Sequence, residues 1–265
     1  MPPSEARAEP VPLACSRFGS GPALVFLHGL FGSGRNWRGF ARAFQDRFTC
    51  LLPDLRAHGA SPAVAPVDYE AMAADVLALL DREGFRRASL IGHSMGGKVA
   101  MVVALTAAER VERLAVLDIA PVKYAHRHEA LFAALRALDL TSIRRRADAD
   151  RMLAASIADP GLRGFLLKNL VLEEGRARWR IDLALLQRAM PVLAGFPDSL
   201  CARRFEGPAL FLGGTRSDYL REEHVAKIYR LFPAARIARV AGAGHWLHVE
   251  RPAQVLALLE AFVAQ

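Results

Sequence analysis

The chain has 265 residues, 52% apolar and 23% charged, which suits one large globular domain with a sizeable core. No apolar run approaches the ~18 residues of a membrane span, and Met1 to Glu9 is polar and Pro-rich without a signal-peptide core, so a cytoplasmic location is expected. The formal charge of +8 comes from arginines spread along the chain with no nucleic-acid module, and Arg144-Arg145-Arg146 reads as a solvated helix face, so no nucleic-acid partner is expected.

Leu13 to Phe18 suggests an edge strand, followed by the turn Gly19-Ser20-Gly21-Pro22. Ala23 to Leu27 is a continuous apolar run suited to a strand buried on both faces. Asn36 to Arg47 reads as a helix with Trp37, Phe40, Ala41 and Phe44 on one stripe, and Phe48 to Leu52 as the next strand. Pro53 to Ser61 is turn-rich, and Asp54, Arg56 and His58 are placed to tie loops together. Tyr69 to Arg82 is an amphipathic helix with Asp68 as N-cap. Ala88 to Ile91 is a strand, Met95 to about Glu109 a helix, and Arg113 to Leu117 another buried strand.

From Val122 to about Phe205 no buried-strand run occurs. Helical stretches are expected at His128–Leu138, Thr141–Ile157, Gly161–Leu170 and Trp179–Met190, separated by breakers at Asp159-Pro160-Gly161, Glu174-Gly175 and Pro191. The strand pattern resumes at Ala209–Leu212 and Arg236–Val240, with helices at Glu222–Phe232 and Pro252–Val263. The expected fold is α/β: a mostly parallel central sheet flanked by helices, with a helical cap inserted before the penultimate strand. The division is a core of residues 1–121 and 206–265 and a cap of 122–205, which would line and gate a substrate pocket. Three scattered cysteines, Cys15, Cys50 and Cys201, argue against a disulfide framework and offer no metal-ligand spacing; Cys50 is the best candidate for burial.

The stretch Gly92-His93-Ser94-Met95-Gly96 lies between a strand and a helix, the context in which G-x-S-x-G forms a sharp turn around a nucleophilic serine. A side chain at Gly92 or Gly96 would meet neighbouring backbone. The Met95 N–H then lies at a helix N-terminus, and the His28-Gly29-Leu30-Phe31-Gly32 loop offers the Leu30 N–H beside it, together an oxyanion hole. His28 itself reads as structural. A serine hydroxyl needs an imidazole base, and the base needs a carboxylate. His245, on a Gly-flanked loop after the last strand, is the preferred base over His248 and His58. The acid is open between Asp118 and Asp218, which both follow strands; counted from Gly214, the usual acid slot falls on Ser217, one residue before Asp218.

These motifs resemble the α/β-hydrolase superfamily. More narrowly they resemble bacterial YbfF-type esterases and the eukaryotic α/β-hydrolase-domain-11 proteins. The resemblance runs from Val25 to Val263, through Gly96-Gly97-Lys98 and Asp118-Ile119-Ala120-Pro121 in particular. It implies that Asp118 supplies the acid, with Asp218 the alternative. It implies carboxylic ester hydrolysis through an acyl-enzyme, with no metal or organic cofactor and a small-molecule ester or thioester as substrate. The basic surface would favour an anionic acyl substrate such as a coenzyme A thioester. Alternatives are a carbon–carbon bond hydrolase or cofactor-free perhydrolase on the same triad, or a ligand-binding protein without turnover. Haloalkane dehalogenases and epoxide hydrolases carry Asp where Ser94 stands and are disfavoured. Acyl chain length and oligomeric state are not read from the sequence.

Overall fold

Continuous apolar runs become strands that have no polar face to offer water. In the computed structural model, which describes residues 9–125, 128–173 and 175–264, they form one seven-stranded sheet. Residues 1–8 of the Pro-rich N-terminal stretch and Glu174 of the expected breaker lie outside the described residues. The strands are β1 (Cys15–Phe18), β2 (Ala23–Leu27), β3 (Thr49–Pro53), β4 (Ala88–His93) and β5 (Val111–Leu117), then β8 (Ala209–Gly214) and β9 (Ala235–Val240). Their order is β1-β3-β2-β4-β5-β8-β9, parallel throughout except for β1, which pairs antiparallel at the edge.

Period-two alternation divides the strand side chains between two cores. Ala23, Val25 and Leu27 of β2 join Met72, Val76 and Val99 on one face, under helices Tyr69–Arg82 and Met95–Thr106. Leu24 and Phe26 join Phe40, Phe44, Leu259 and Phe262 on the other, under helices Arg38–Phe44 and Pro252–Val263. The Asp68 carboxylate caps its helix by accepting from Ala71 N–H at 2.7 Å. Cys50 is buried, and all three cysteines are free.

The strand order places the functional loops. After β2 the chain moves outward to β3; after β3 it crosses β2 to reach β4, and continues the other way. The crevice at the carboxyl ends of β2 and β4 is therefore the switch point where open α/β sheets bind ligands. His28 follows β2 and Ser94 follows β4.

The segment between β5 and β8 departs in detail from the sequence expectation. It holds helices Glu129–Arg136, Arg146–Leu153, Pro160–Leu166 and Leu183–Leu193, and also an antiparallel hairpin, β6 (Leu170–Glu173) with β7 (Arg176–Trp179). The insertion is thus not wholly helical, and Trp179 ends a strand rather than opening a helix. Arg176, Ala177, Arg178 and Trp179 alternate exposed and half-buried, a period-two signal too short to stand out, and Gly175 turns the hairpin at φ 73°. The expected Thr141–Ile157 helix shrinks because Asp139 accepts from Thr141 N–H at 3.0 Å and the Asp148 carboxylate accepts from Arg145 N–H at 2.8 Å, fixing turns ahead of Arg146. Pro191, expected as a breaker, sits in the last turn of Leu183–Leu193; proline forfeits its own N–H bond, but Ala194 N–H still reaches Met190 C=O at 2.8 Å. No described helix is long and apolar enough to cross a membrane.

One buried ion pair locks the β3 loop to the helical layer. Arg56 donates from Nη2 to Asp75 Oδ1 at 2.7 Å and from Nε to Asp75 Oδ2 at 2.8 Å, with side chains 1% and 0% exposed. The same guanidinium reaches Glu9 C=O at 3.0 Å, and Val11 N–H donates to Asp75 Oδ1 at 2.7 Å. Removing one partner strands a buried charge. Arg56→Leu is therefore expected to lower the free energy of unfolding by about 3–5 kcal/mol, and Arg56→Leu with Asp75→Leu to lose less than the sum of the two single changes; urea denaturation of the three variants checks this.

Candidate active site

The turn after β4 forces Ser94 into φ 52°, ψ −119°, a conformation L side chains rarely adopt. Its neighbours make room for it. A Cβ on Gly92 would collide with the Gly96 carbonyl, and a Cβ on Gly96 with the Leu27 carbonyl. Ser94 N–H extends the sheet ladder to Leu117 C=O at 3.0 Å, so the strained residue is anchored to β5.

Three of the singled-out side chains form one hydrogen-bonded line. Ser94 Oγ lies 3.0 Å from His245 Nε2, and His245 Nδ1 lies 2.7 Å from Asp118 Oδ2. Asp118 follows β5 directly, at φ 52°, and its side chain is 0% exposed. Its carboxylate also accepts from Gly214 N–H at 2.9 Å on Oδ1 and from the Ser217 hydroxyl on Oδ2. With an acceptor on its Nδ1 side, the neutral His245 carries its proton there and offers a lone pair to Ser94. Asp218 stays outside this line: its side chain is 76% exposed and pairs with Arg221 Nη2 at 3.5 Å. Tyr219 stacks on the His245 ring, centroids 4.0 Å apart.

His28, His58 and His248 stand outside this line. His28 Nδ1–H donates to Gly29 C=O at 2.9 Å, and its Nε2 accepts from Leu55 N–H at 2.9 Å. His58 Nδ1–H donates to Arg56 C=O at 3.0 Å, and its Nε2 accepts from Phe31 N–H at 3.2 Å, holding Phe31 at φ 61°. Asp54 accepts from Gly34 N–H and Ala60 N–H, each at 2.8 Å. His248 is buried and stacks on Trp37 at 4.8 Å. Burial draws His28 down to about 4 and His58 and His248 to about 3, the neighbouring imidazoles adding for the latter two. In the loop fixed this way, the Leu30 N–H, like that of Met95, has no hydrogen-bond partner among the described residues, and both residues line the cavity that Ser94 faces.

That cavity measures about 540 Å³ and is walled by both the sheet loops and the insertion: Ile119 and Tyr219 on one side, Leu131, Leu162, Phe165 and Leu193 on the other. The segment between β5 and β8 is bonded to the helices and to the β2 loop beneath it. Tyr69 O–H donates to Leu193 C=O at 2.6 Å, and Asn169 Nδ2–H to Phe31 C=O at 2.8 Å. Lys98, four residues after Ser94, donates from Nζ to Ala194 C=O at 3.1 Å and also to Gly195 C=O. Its ammonium lies 4.9 Å from the Tyr124 ring centroid, and no carboxylate pairs with it among the described residues. Burial, with Lys227 adding, draws it down to about 7. Sequence reading singled out neither Ser217 nor Lys98 for a role, though both stood inside quoted motifs.

Residues 22–252 match the family model described as the alpha/beta hydrolase fold, and the chain belongs to the α/β-hydrolase family. Among its relatives, the sn-1-specific diacylglycerol lipase ABHD11 of Mus musculus is 40% identical over 251 residues, covering 92% of this chain and 81% of its own. Esterase YbfF of Escherichia coli (strain K12) is 36% identical over 241 residues, covering 91% and 92%. A solved structure titled marine microorganism esterase superposes with a TM-score of 0.92 at 35% identity, covering 95% of this chain and 99% of its own. The chain is thus an α/β hydrolase of the YbfF/ABHD11 type.

The buried imidazoles make stability pH-dependent. His28, His58 and His248 bind a proton more weakly folded than unfolded, so below the ordinary value of 6.5 the unfolded chain takes up more protons. Their stabilisation is complete above that value and is lost as pH falls toward 4 and below, at about 1.4 kcal/mol per pH unit per group. His248→Phe keeps the ring and deletes one titration. Urea midpoints between pH 7.5 and 4.5 are expected to fall less steeply in that variant than in the parent.

Proposed function

We propose that this protein is a serine hydrolase of carboxylic esters that works through an acyl-enzyme on Ser94. The observation that carries this reading is the His245 ring, 3.0 Å from Ser94 Oγ on one nitrogen and 2.7 Å from Asp118 on the other. The names of the relatives, esterase and lipase, support the same chemistry.

In this mechanism His245 takes the proton of Ser94 as Oγ attacks the ester carbonyl. Asp118 fixes the tautomer of His245 and stabilises the imidazolium. The N–H groups of Leu30 and Met95 bind the tetrahedral oxyanion, Met95 with the helix N-terminus behind it. His245 then protonates the leaving alcohol or thiol, and water, activated by the same imidazole, releases the acid. Ser217 is a positioning residue, since its hydroxyl holds the Asp118 oxygen that faces His245. Residues 122–205 act as the cap over the core of 1–121 and 206–265. The bonds of Tyr69 and Lys98 to this segment, the bond of its own Asn169 to Phe31 of the core, and its share of the cavity wall support that division.

Two experiments test the reading. Intact-mass analysis after fluorophosphonate treatment is expected to find a single adduct on the parent and none on Ser94→Ala; no adduct on folded parent overturns it. On short p-nitrophenyl esters, Ser94→Ala is expected to lower kcat/KM by at least about 10³-fold and Asp118→Asn by about 10²–10⁴-fold, with Asp218→Asn within about 2-fold of the parent. An Asp218→Asn loss equal to that of Asp118→Asn would sink the assignment of the acid.

A further inference from the structure

The residue immediately before Ser94 has a side chain that this mechanism does not use. His93 ends β4, is buried, and lies 2.8 Å through its Nε2 from the His245 carbonyl oxygen, 152 residues further along the chain. A carbonyl only accepts, so Nε2 carries the proton. Burial, with the imidazoles of His248 and His245 adding, holds His93 well below the usual histidine range and keeps it in that neutral form. The ring is boxed in. It lies 4.7 Å from the His245 ring and 4.4 Å from the His248 ring, and a Cβ on Gly29 would stand 3.1 Å from its Nδ1.

The His245 main chain makes no other hydrogen bond among the described residues. Its neighbours in the loop are tied elsewhere, Gly244 N–H to Glu250 Oε2 at 2.9 Å and Arg216 N–H to Ala243 C=O at 2.9 Å. Among the described residues, the His93 bond is therefore the one main-chain tie of His245, and it runs to the residue next to Ser94.

We propose that His93 is a positioning residue: by gripping the His245 carbonyl it sets the distance between the base and Ser94. The inference rests on the reading of Ser94 and His245 as nucleophile and base. One short strand end then fixes both partners of the proton transfer, Ser94 through its own backbone and His245 through the side chain next to it. Misplacing a base by about 1 Å costs on the order of 10²-fold in rate without touching substrate binding.

The test uses the full chain, with kcat and KM measured on p-nitrophenyl butyrate for His93→Leu, His93→Gln and His93→Asn, and a melting curve for each. Glutamine carries an amide N–H at the reach of Nε2; asparagine stops near Nδ1 and cannot span to His245. His93→Leu and His93→Asn are expected to lower kcat by about 10–100-fold with KM within about 3-fold, and His93→Gln to recover most of the loss. If His93→Leu does not fold, the comparison of Gln with Asn decides. Parent-like kcat in His93→Leu, or Gln no better than Asn, overturns the proposal while leaving the esterase reading intact. A parent that neither turns over esters nor takes a fluorophosphonate overturns the reading and this inference with it.

Discussion

A carboxylate with no access to water must have its lone pairs met by protein donors. Asp118 is that group, and three segments supply its donors: the end of β8 through Gly214, the loop after β8 through Ser217, and the loop after β9 through His245. Since β5, β8 and β9 are consecutive in the sheet, the carboxylate welds their carboxyl ends together. The strained φ of Asp118 is tolerable because its N–H is itself pinned to Leu212 C=O at 2.7 Å. Remove the carboxylate and the donors of Gly214, Ser217 and His245 lose their common acceptor. The arrangement of the site and the cohesion of this sheet edge are one problem with one solution.

Much of this was readable in the sequence, for steric reasons. Glycines at 92 and 96 announce backbone contacts that no side chain permits, and an apolar run before them with a helical pattern after them leaves one geometry for Ser94. The strands were readable because a strand buried on both faces is largely apolar: β2 and β8 are apolar throughout, and β3 and β4 are apolar but for Thr49, Ser89 and His93. The position of His245 was readable from its loop. What composition and spacing left open was the acid. Asp118 and Asp218 both follow strands, and only three-dimensional pairing separates a carboxylate shut off from water from one paired with Arg221 at the surface. The misfit at Ser217 has a structural meaning: a serine in the slot counted from Gly214 donates to Asp118, the carboxylate one strand over.

The insertion was harder to read because its elements are stabilised by what they pack on. Helix Arg146–Leu153 is two turns long, below the length at which sequence periodicity is decisive, and its start is set by side-chain acceptors on Asp139 and Asp148. In the hairpin β6–β7 only Leu170 and Val171 are fully buried, with Ala177 and Trp179 half-buried against the core. Lys98 joined a motif on paper but reveals its work only when Ala194 and Gly195, nearly a hundred residues away, arrive at its ammonium. A buried lysine facing carbonyls rather than a carboxylate ties the segment through its N–H donors, on two acceptors, without drawing an acidic group into the cavity.

Five imidazoles crowd the ground around Ser94: His28, His58, His93, His245 and His248. Four are held neutral by burial, and each spends its hydrogen bonds, where it makes them, on backbone groups. Only His245 bonds a carboxylate. In the proposed mechanism that difference assigns the proton. An imidazolium forming at His245 finds Asp118 behind it, whereas one forming at any of the other four would stand among its own kind in a low-dielectric interior. Burial therefore keeps the scaffold rings uncharged, the neighbouring imidazoles adding for His58, His93 and His248, and the ring that the serine turn touches is the one with a carboxylate behind it.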